Sequence, residues 1–167
     1  QRLSKDYPDD LRIVYRNFPL TRLHANALLA DKVAEAANLQ GKLWEMHDKL
    51  FEKQTDWADS KDAQKIFEGY ADELGLDKAK FLEDMNKKEI EDRIKWDYAS
   101  GLSLGVNGTP TFFLNGQKIV NPNTYEDFKK FIDSAIQTPV PTAPAANDTT
   151  ASSATTPAAA GPQTSST

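Results

Sequence analysis

The 167-residue chain contains no cysteine, and that absence removes disulfides, thiolate metal ligands and cysteine nucleophiles at once. Long apolar runs are missing too. No stretch approaches the roughly 18 residues that a membrane-spanning helix requires, so no membrane contact is expected from this segment. Basic residues are outnumbered, 20 against 25 acidic ones, for a formal charge of −5. A concentrated basic stripe that could neutralise phosphates is therefore lacking, and nucleic acid is not an expected partner. Histidine occurs only twice, as His24 and His47, without the His-Glu-x-x-His spacing of a zinc helix; no metal site is expected. Gly101, Gly105 and Gly108 are spread through a helix end and a loop, which is not a phosphate cradle. The chain starts at Gln1 with no charged-then-apolar leader after it, and is read as a fragment or a processed chain.

What is present divides at Thr138. From Thr138 to Thr167, 25 of 30 residues are Ala, Pro, Ser or Thr, and Asp148 is the only charge. Such a stretch has no apolar period to bury and cannot offset about 1 to 2 kcal/mol per residue of backbone ordering. Residues 138–167 are expected to be a disordered tail, and residues 1–137 a single folded domain.

Within the domain, Tyr7-Pro8-Asp9-Asp10 signals a turn. The following Leu11-Arg12-Ile13-Val14-Tyr15-Arg16 alternates, with Leu11, Ile13 and Tyr15 on one face and both arginines on the other, which predicts a half-exposed strand. Residues 24–38, rich in Ala and Leu, predict a helix. Leu43, Met46, Leu50 and Phe51 recur at helical spacing after Gly41. A third stripe of Ile66, Phe67, Tyr70, Ala71 and Leu74 stops at Gly75, the usual residue past a helix end. Phe81, Leu82 and Met85 form a fourth stripe; Asn86-Lys87-Lys88 breaks its phase before Ile90, Ile94, Tyr98 and Leu102 resume in another helix. Thr111-Phe112-Phe113-Leu114, Asn115-Gly116 and Gln117-Lys118-Ile119-Val120 read as a β-hairpin on a type I′ turn. Thr124 with Asp127 resembles a capping box ahead of Tyr125, Phe128, Phe131, Ile132 and Ala135.

The remaining conspicuous residues take structural readings. His47 lies beside Leu43, Leu50 and Phe51 on the apolar side of its helix. His24 is placed as the residue opening its helix. Asp9-Asp10 and Glu89, Glu91 and Asp92 belong to turns or solvated faces with interleaved Lys and Arg. Trp44, Trp57 and Trp96 are expected in the core, where aromatics at helical spacing usually sit.

Four collinear stretches (residues 7–20, 41–51, 105–116 and 125–132) together resemble the DsbA-like thioredoxin-fold thiol-disulfide oxidoreductases. The quoted motifs include Tyr15-Arg16-Asn17-Phe18-Pro19-Leu20, Trp44-Glu45-Met46-His47-Asp48, Gly108-Thr109-Pro110-Thr111 and Tyr125-Glu126-Asp127-Phe128. The resemblance implies an α/β thioredoxin-like fold with an all-helical insertion from about residue 24 to 104. It also implies a missing first strand, since the family begins with a strand ending in Cys-x-x-Cys and Gln1 to Lys5 matches only the tail of the helix that follows. That strand would lie between the segment at 11–17 and the hairpin, so its loss leaves both without a shared neighbour.

By the same resemblance, Pro110 follows a cis peptide bond and Thr109 offers its backbone to a substrate strand; a plain trans Thr-Pro entering a strand is the alternative from the residues alone. Thr109 and Pro110 are thus the expected substrate-binding residues, with no catalytic residue in this chain and no cofactor. The implied partners are extended or unfolded proteins and a redox partner protein, outside the cytoplasm. Two other readings stay open: a cysteine-free thioredoxin-like module that binds extended peptides without redox chemistry, and a purely structural helical domain on a stalk.

Overall fold

Helix α2 (Ala27–Asn38) is the centre of the packing because it is built from small apolar residues: Ala30, Val33, Ala34, Ala36 and Ala37 are all buried. Short side chains let neighbours approach on several sides. Around it stand α3 (Leu43–Glu52), α5 (Ala63–Glu73), α6 (Lys78–Met85) and α7 (Lys88–Ser103), with the single turn α4 (Gln54–Trp57) between α3 and α5. Met46, Leu50, Trp57, Phe67, Phe81, Met85, Ile90 and Ile94 close on α2 to form one apolar cluster. Each large side chain buried this way contributes about 1.5 to 3 kcal/mol. The computed structural model describes residues 2–138. The expected disordered tail lies outside the described residues from 139 onward.

The rest of the domain is thin. Helix α1 (Arg2–Asp6) leads to an extended run at 11–20, and α7 leads through a loop to β1 (Phe113–Leu114), β2 (Gln117–Lys118) and α8 (Tyr125–Gln137). Phe113 pairs with Lys118 and Leu114 with Gln117, antiparallel. Asn115 and Gly116 have φ of 49° and 79°, the pair of positive angles that a type I′ turn needs. Thr124 and Asp127 exchange the reciprocal bonds of a capping box, and the Phe112 ring meets Phe128 edge-on at 5.0 Å, seating α8 on the hairpin.

Three expectations are corrected. Residues 11–16 are extended but form no ladder, and the sheet has two strands rather than three; a strand exists only with a partner, and none of the described residues supplies one. Helix α2 starts at Ala27, so His24 sits in the preceding turn, where its N–H donates to the Leu20 carbonyl at 3.0 Å. Trp57 is buried, with Nε1 donating to the Leu50 carbonyl at 2.9 Å, but Trp44 and Trp96 are 39% and 58% exposed. Trp44 stands on the outward side of α3, and the Arg16 guanidinium lies 5.1 Å above the ring of the exposed Trp96. The acidic runs are solvated as expected: Asp9 and Asp10 are exposed, Glu91 pairs with Lys95 at 2.5 Å, and Asp92 pairs with Lys88.

Candidate functional site

Helix α7 ends in a turn that aims the chain at the hairpin. Gly105 takes φ of 72°, a left-handed conformation in which glycine escapes the Cβ clash, and the Val106 N–H reaches back to the Gly101 carbonyl at 2.9 Å. Gly101 itself is required for space, because a Cβ there would lie 2.9 Å from Phe18 Cδ2. From this anchor the loop runs to Pro110, and the Thr109–Pro110 peptide bond is cis.

Three side chains hold the loop in shape. The Thr111 hydroxyl donates to the Gly108 carbonyl at 2.7 Å, Asn121 Nδ2 donates to the Pro110 carbonyl at 2.6 Å, and Lys118 Nζ donates to the Gly105 carbonyl at 3.0 Å. Thr109 is different. Neither its N–H nor its C=O has a hydrogen-bond partner among the described residues, and both Thr109 and Pro110 are exposed. They border an open cleft of about 680 Å³ whose far wall is Lys118, Ile119, Val120 and Asn121. Free main-chain polar groups beside an open cleft can pair with an extended chain, and proline has no N–H that would close the position. Val120, 82% exposed, adds apolar surface at the rim.

A second polar group was not foreseen from the sequence. The side chain of Asn17, 1% exposed, donates through Nδ2 to Glu35 Oε1 at 2.7 Å and to Asp97 Oδ2 at 3.1 Å, and its backbone N–H also donates to Asp97 Oδ2 at 3.1 Å. Arg16 reaches Asp97 Oδ1 at 2.9 Å, and Arg93 Nε lies 3.8 Å from Oδ2. Asp31, one turn before Glu35, is also buried, and its Oδ2 has no partner. Burial, reinforced by the negative charges of Glu35 and Asp97, pushes the Asp31 carboxyl up to about 7. The same surroundings push the Tyr15 phenol up, burial first and then the carboxylates of Asp31, Glu35 and Asp97. A sequence signal existed: two carboxylates at i and i+4 on the buried face of an Ala-rich helix.

His47 packs structurally, its ring 5.1 Å from Tyr15, 5.4 Å from Trp44 and 4.8 Å from Phe51, with Nδ1 3.1 Å from Asp48. Among the described residues no group of three or more His, Cys, Asp and Glu is arranged to hold a metal ion. No helix among them is long and apolar enough to cross a membrane.

The chain is similar to several curated proteins. It is 36% identical over 135 residues to Na(+)/H(+) antiporter NhaA 3 of Salinispora tropica, covering 81% of this chain and 20% of that protein. It is 37% identical over 120 residues to Na(+)/H(+) antiporter NhaA 1 of Mycolicibacterium vanbaalenii, and 34% over 117 residues to Na(+)/H(+) antiporter NhaA of Herminiimonas arsenicoxydans; each match covers 70% of this chain and 18% of the relative. The chain thus spans about a fifth of the length of the curated relatives it matches. No solved structure matches significantly. A family model described as thioredoxin matches residues 2–134, which takes in the helical cluster, the Thr109–Pro110 loop, the hairpin and almost all of α8, and the chain accordingly belongs to the thioredoxin family.

Proposed function

We propose that this chain is the substrate-facing part of a DsbA-like thiol-disulfide oxidoreductase that works outside the cytoplasm on extended or unfolded proteins. The single observation that carries the reading is the exposed Thr109, with both backbone polar groups free, beside cis Pro110 on an open cleft. An extended substrate would pair its main chain with Thr109 and lie along the cleft toward Val120. The exchange step itself needs a thiolate, which attacks one sulfur of a disulfide, forms a mixed disulfide and releases the other sulfur as a thiolate. With no cysteine in the 167 residues, that thiolate comes from a segment or a partner outside them, and a redox partner protein resets it. The antiporter names describe the much longer relatives and are not carried over to this chain.

The zero cysteine count favours a second reading, a peptide-binding module that performs no redox chemistry. One experiment addresses both. The purified chain is titrated with an unfolded, cysteine-free peptide while its backbone amides are followed by NMR, and is then assayed for insulin reduction. Saturable shifts centred on residues 108–111 and 119–121, with no turnover, are expected. Peptide binding that leaves those amides unmoved would overturn the assignment of the loop, and turnover above background would overturn the placement of the thiolate outside the chain. Addition of a Cys-x-x-Cys partner segment that gives turnover separates the first reading from the second.

A further inference from the structure

The buried polar group around Asn17 has more acceptors than donors. Asp97 accepts from Arg16 and from two N–H groups of Asn17, with the Arg93 guanidinium 3.8 Å away, and Glu35 accepts from Asn17 Nδ2 and from Asn38 Nδ2 at 3.4 Å. Nothing is left for Asp31, whose Oδ2 is buried without a donor, or for Asn17 Oδ1, which is likewise buried and unpartnered. A carboxylate charge buried without a donor or counter-ion costs far more than taking up a proton. A metal ion would be the other way to balance the site, but the three carboxylates are not arranged to hold one.

Glu35, Asp97 and Tyr15 act on Asp31 directly, and the charged groups beyond them come from several elements. Tyr15 and Arg16 lie on the extended segment, Glu35 on α2 itself, and Asp97 and Arg93 on α7. His47 of α3 touches the Tyr15 ring, and Lys87, at the start of α7, shares with Glu35 and Arg93 a cleft of about 500 Å³. That cleft gives water and protons a path to the edge of the cluster.

We propose that the Asp31–Glu35–Asp97 cluster is a pH-sensitive latch that ties the segment at 15–17 to α2 and α7, with Asp31 as the group that titrates. While Asp31 is neutral, the cluster holds two carboxylates, satisfied by hydrogen bonds from Arg16 and Asn17 and by the nearby charge of Arg93. When it ionises, a third negative charge joins those of Glu35 and Asp97. Repulsion then acts on the segment that carries Tyr15 and Asn17, and through Phe18 on Gly101 and the end of α7. The direction follows from the titration. The Asp31 carboxyl rises from its ordinary 3.8 to about 7, so the folded chain keeps a proton that the unfolded chain releases. Stability therefore falls as pH rises from about 4 to about 7 and levels off above that.

The test uses the full chain. The side-chain carboxyl of Asp31 is titrated by carbon NMR from pH 4 to 9, and exchange of the Asn17 amide is followed across the same range, corrected for intrinsic rates. The expected results are a midpoint near neutrality and a loss of Asn17 protection of about tenfold or more between pH 6 and 8. Asp31→Asn should keep that protection throughout, whereas Asp59→Asn, at an exposed position, should behave as the parent. A midpoint in the ordinary aspartate range, pH-independent protection in the parent, or the same loss in Asp31→Asn would overturn the latch. Restoration of protection at pH 8 by added calcium or sodium would also overturn it, by assigning the cluster to a cation. If Asp31→Asn does not fold, the two measurements on the parent decide.

Discussion

The ring of Phe18 lies against Gly101, with Cδ2 and Cε2 at 2.9 Å and 3.0 Å from where a Cβ on that glycine would stand. This contact fastens the extended segment to the last turn of α7, just before the loop that carries Thr109 and Pro110. Phe18 has little room to give, since its other face rests on Tyr98 with centroids 4.6 Å apart. Gly101→Ala should gain about 1 kcal/mol of helix propensity and lose about 1 to 3 kcal/mol to overpacking, for a net loss of about 1 kcal/mol. In a Phe18→Leu background the loss should shrink or reverse, because the smaller side chain frees the space. Denaturant midpoints of the four chains in that cycle decide it, and equal losses in both backgrounds would refute the contact as the cause.

Thr124 and Asp127 satisfy each other's backbone N–H groups at the start of α8. Thr124→Ala should cost about 1 kcal/mol, which for a domain of this size lowers the melting temperature by several degrees. Thr124→Ser, which keeps the acceptor oxygen, should recover most of it.

How far these features could be read in advance depended on how local their causes are. The Asn115-Gly116 turn and the Thr124 cap depend on residues within three positions of one another, and both formed where the sequence places them. The helices at 43–52, 63–73, 78–85 and 88–103 followed from apolar spacing. The strand at 11–16 failed for a non-local reason: its alternation is present, but strand identity resides in a partner. Trp44 and Trp96 failed similarly, since helical spacing fixes a side and not what covers it. The Asp31–Glu35 pair was hidden because carboxylates ordinarily mark a solvated face, and only the buried contacts of Asn17 reverse that. The cis bond between Thr109 and Pro110 was legible through the family resemblance and not through the chemistry of the two residues.

Asn121 supports the loop from the far wall of the cleft by donating to the Pro110 carbonyl at 2.6 Å. It is exposed, so Asn121→Ala should change stability by less than about 1 kcal/mol. The loop would lose one of its three supports, and the affinity for an extended peptide should fall by about three- to tenfold, the equivalent of one modest hydrogen bond. Calorimetric titration of the two chains with the same peptide measures this; unchanged affinity would mean that the loop holds its shape without Asn121.

Asp84 offers the opposite electrostatic case to Asp31. Its side chain is fully buried at the edge of the helical cluster, and it accepts from Lys80 at 2.8 Å and Lys87 at 2.6 Å. Burial alone would push its carboxyl up, but the hydrogen bonds and charges of the two lysines outweigh that and hold it below the usual aspartate value. The folded chain therefore binds this proton more weakly than the unfolded chain does. Asp84 contributes stability that is present above about pH 4 and is lost as pH falls through its depressed value. Asp84→Asn keeps the shape but removes the charge, so it should cost about 1.5 to 3 kcal/mol at pH 7, the range for hydrogen bonds to charged groups. The difference from the parent should narrow steadily below pH 4, where the unfolded parent takes up this proton before the folded one does. Urea midpoints at pH 7, 5 and 3 measure this, and a deficit that stays constant down to pH 3 would show that the two lysines act on Asp84 through packing rather than charge.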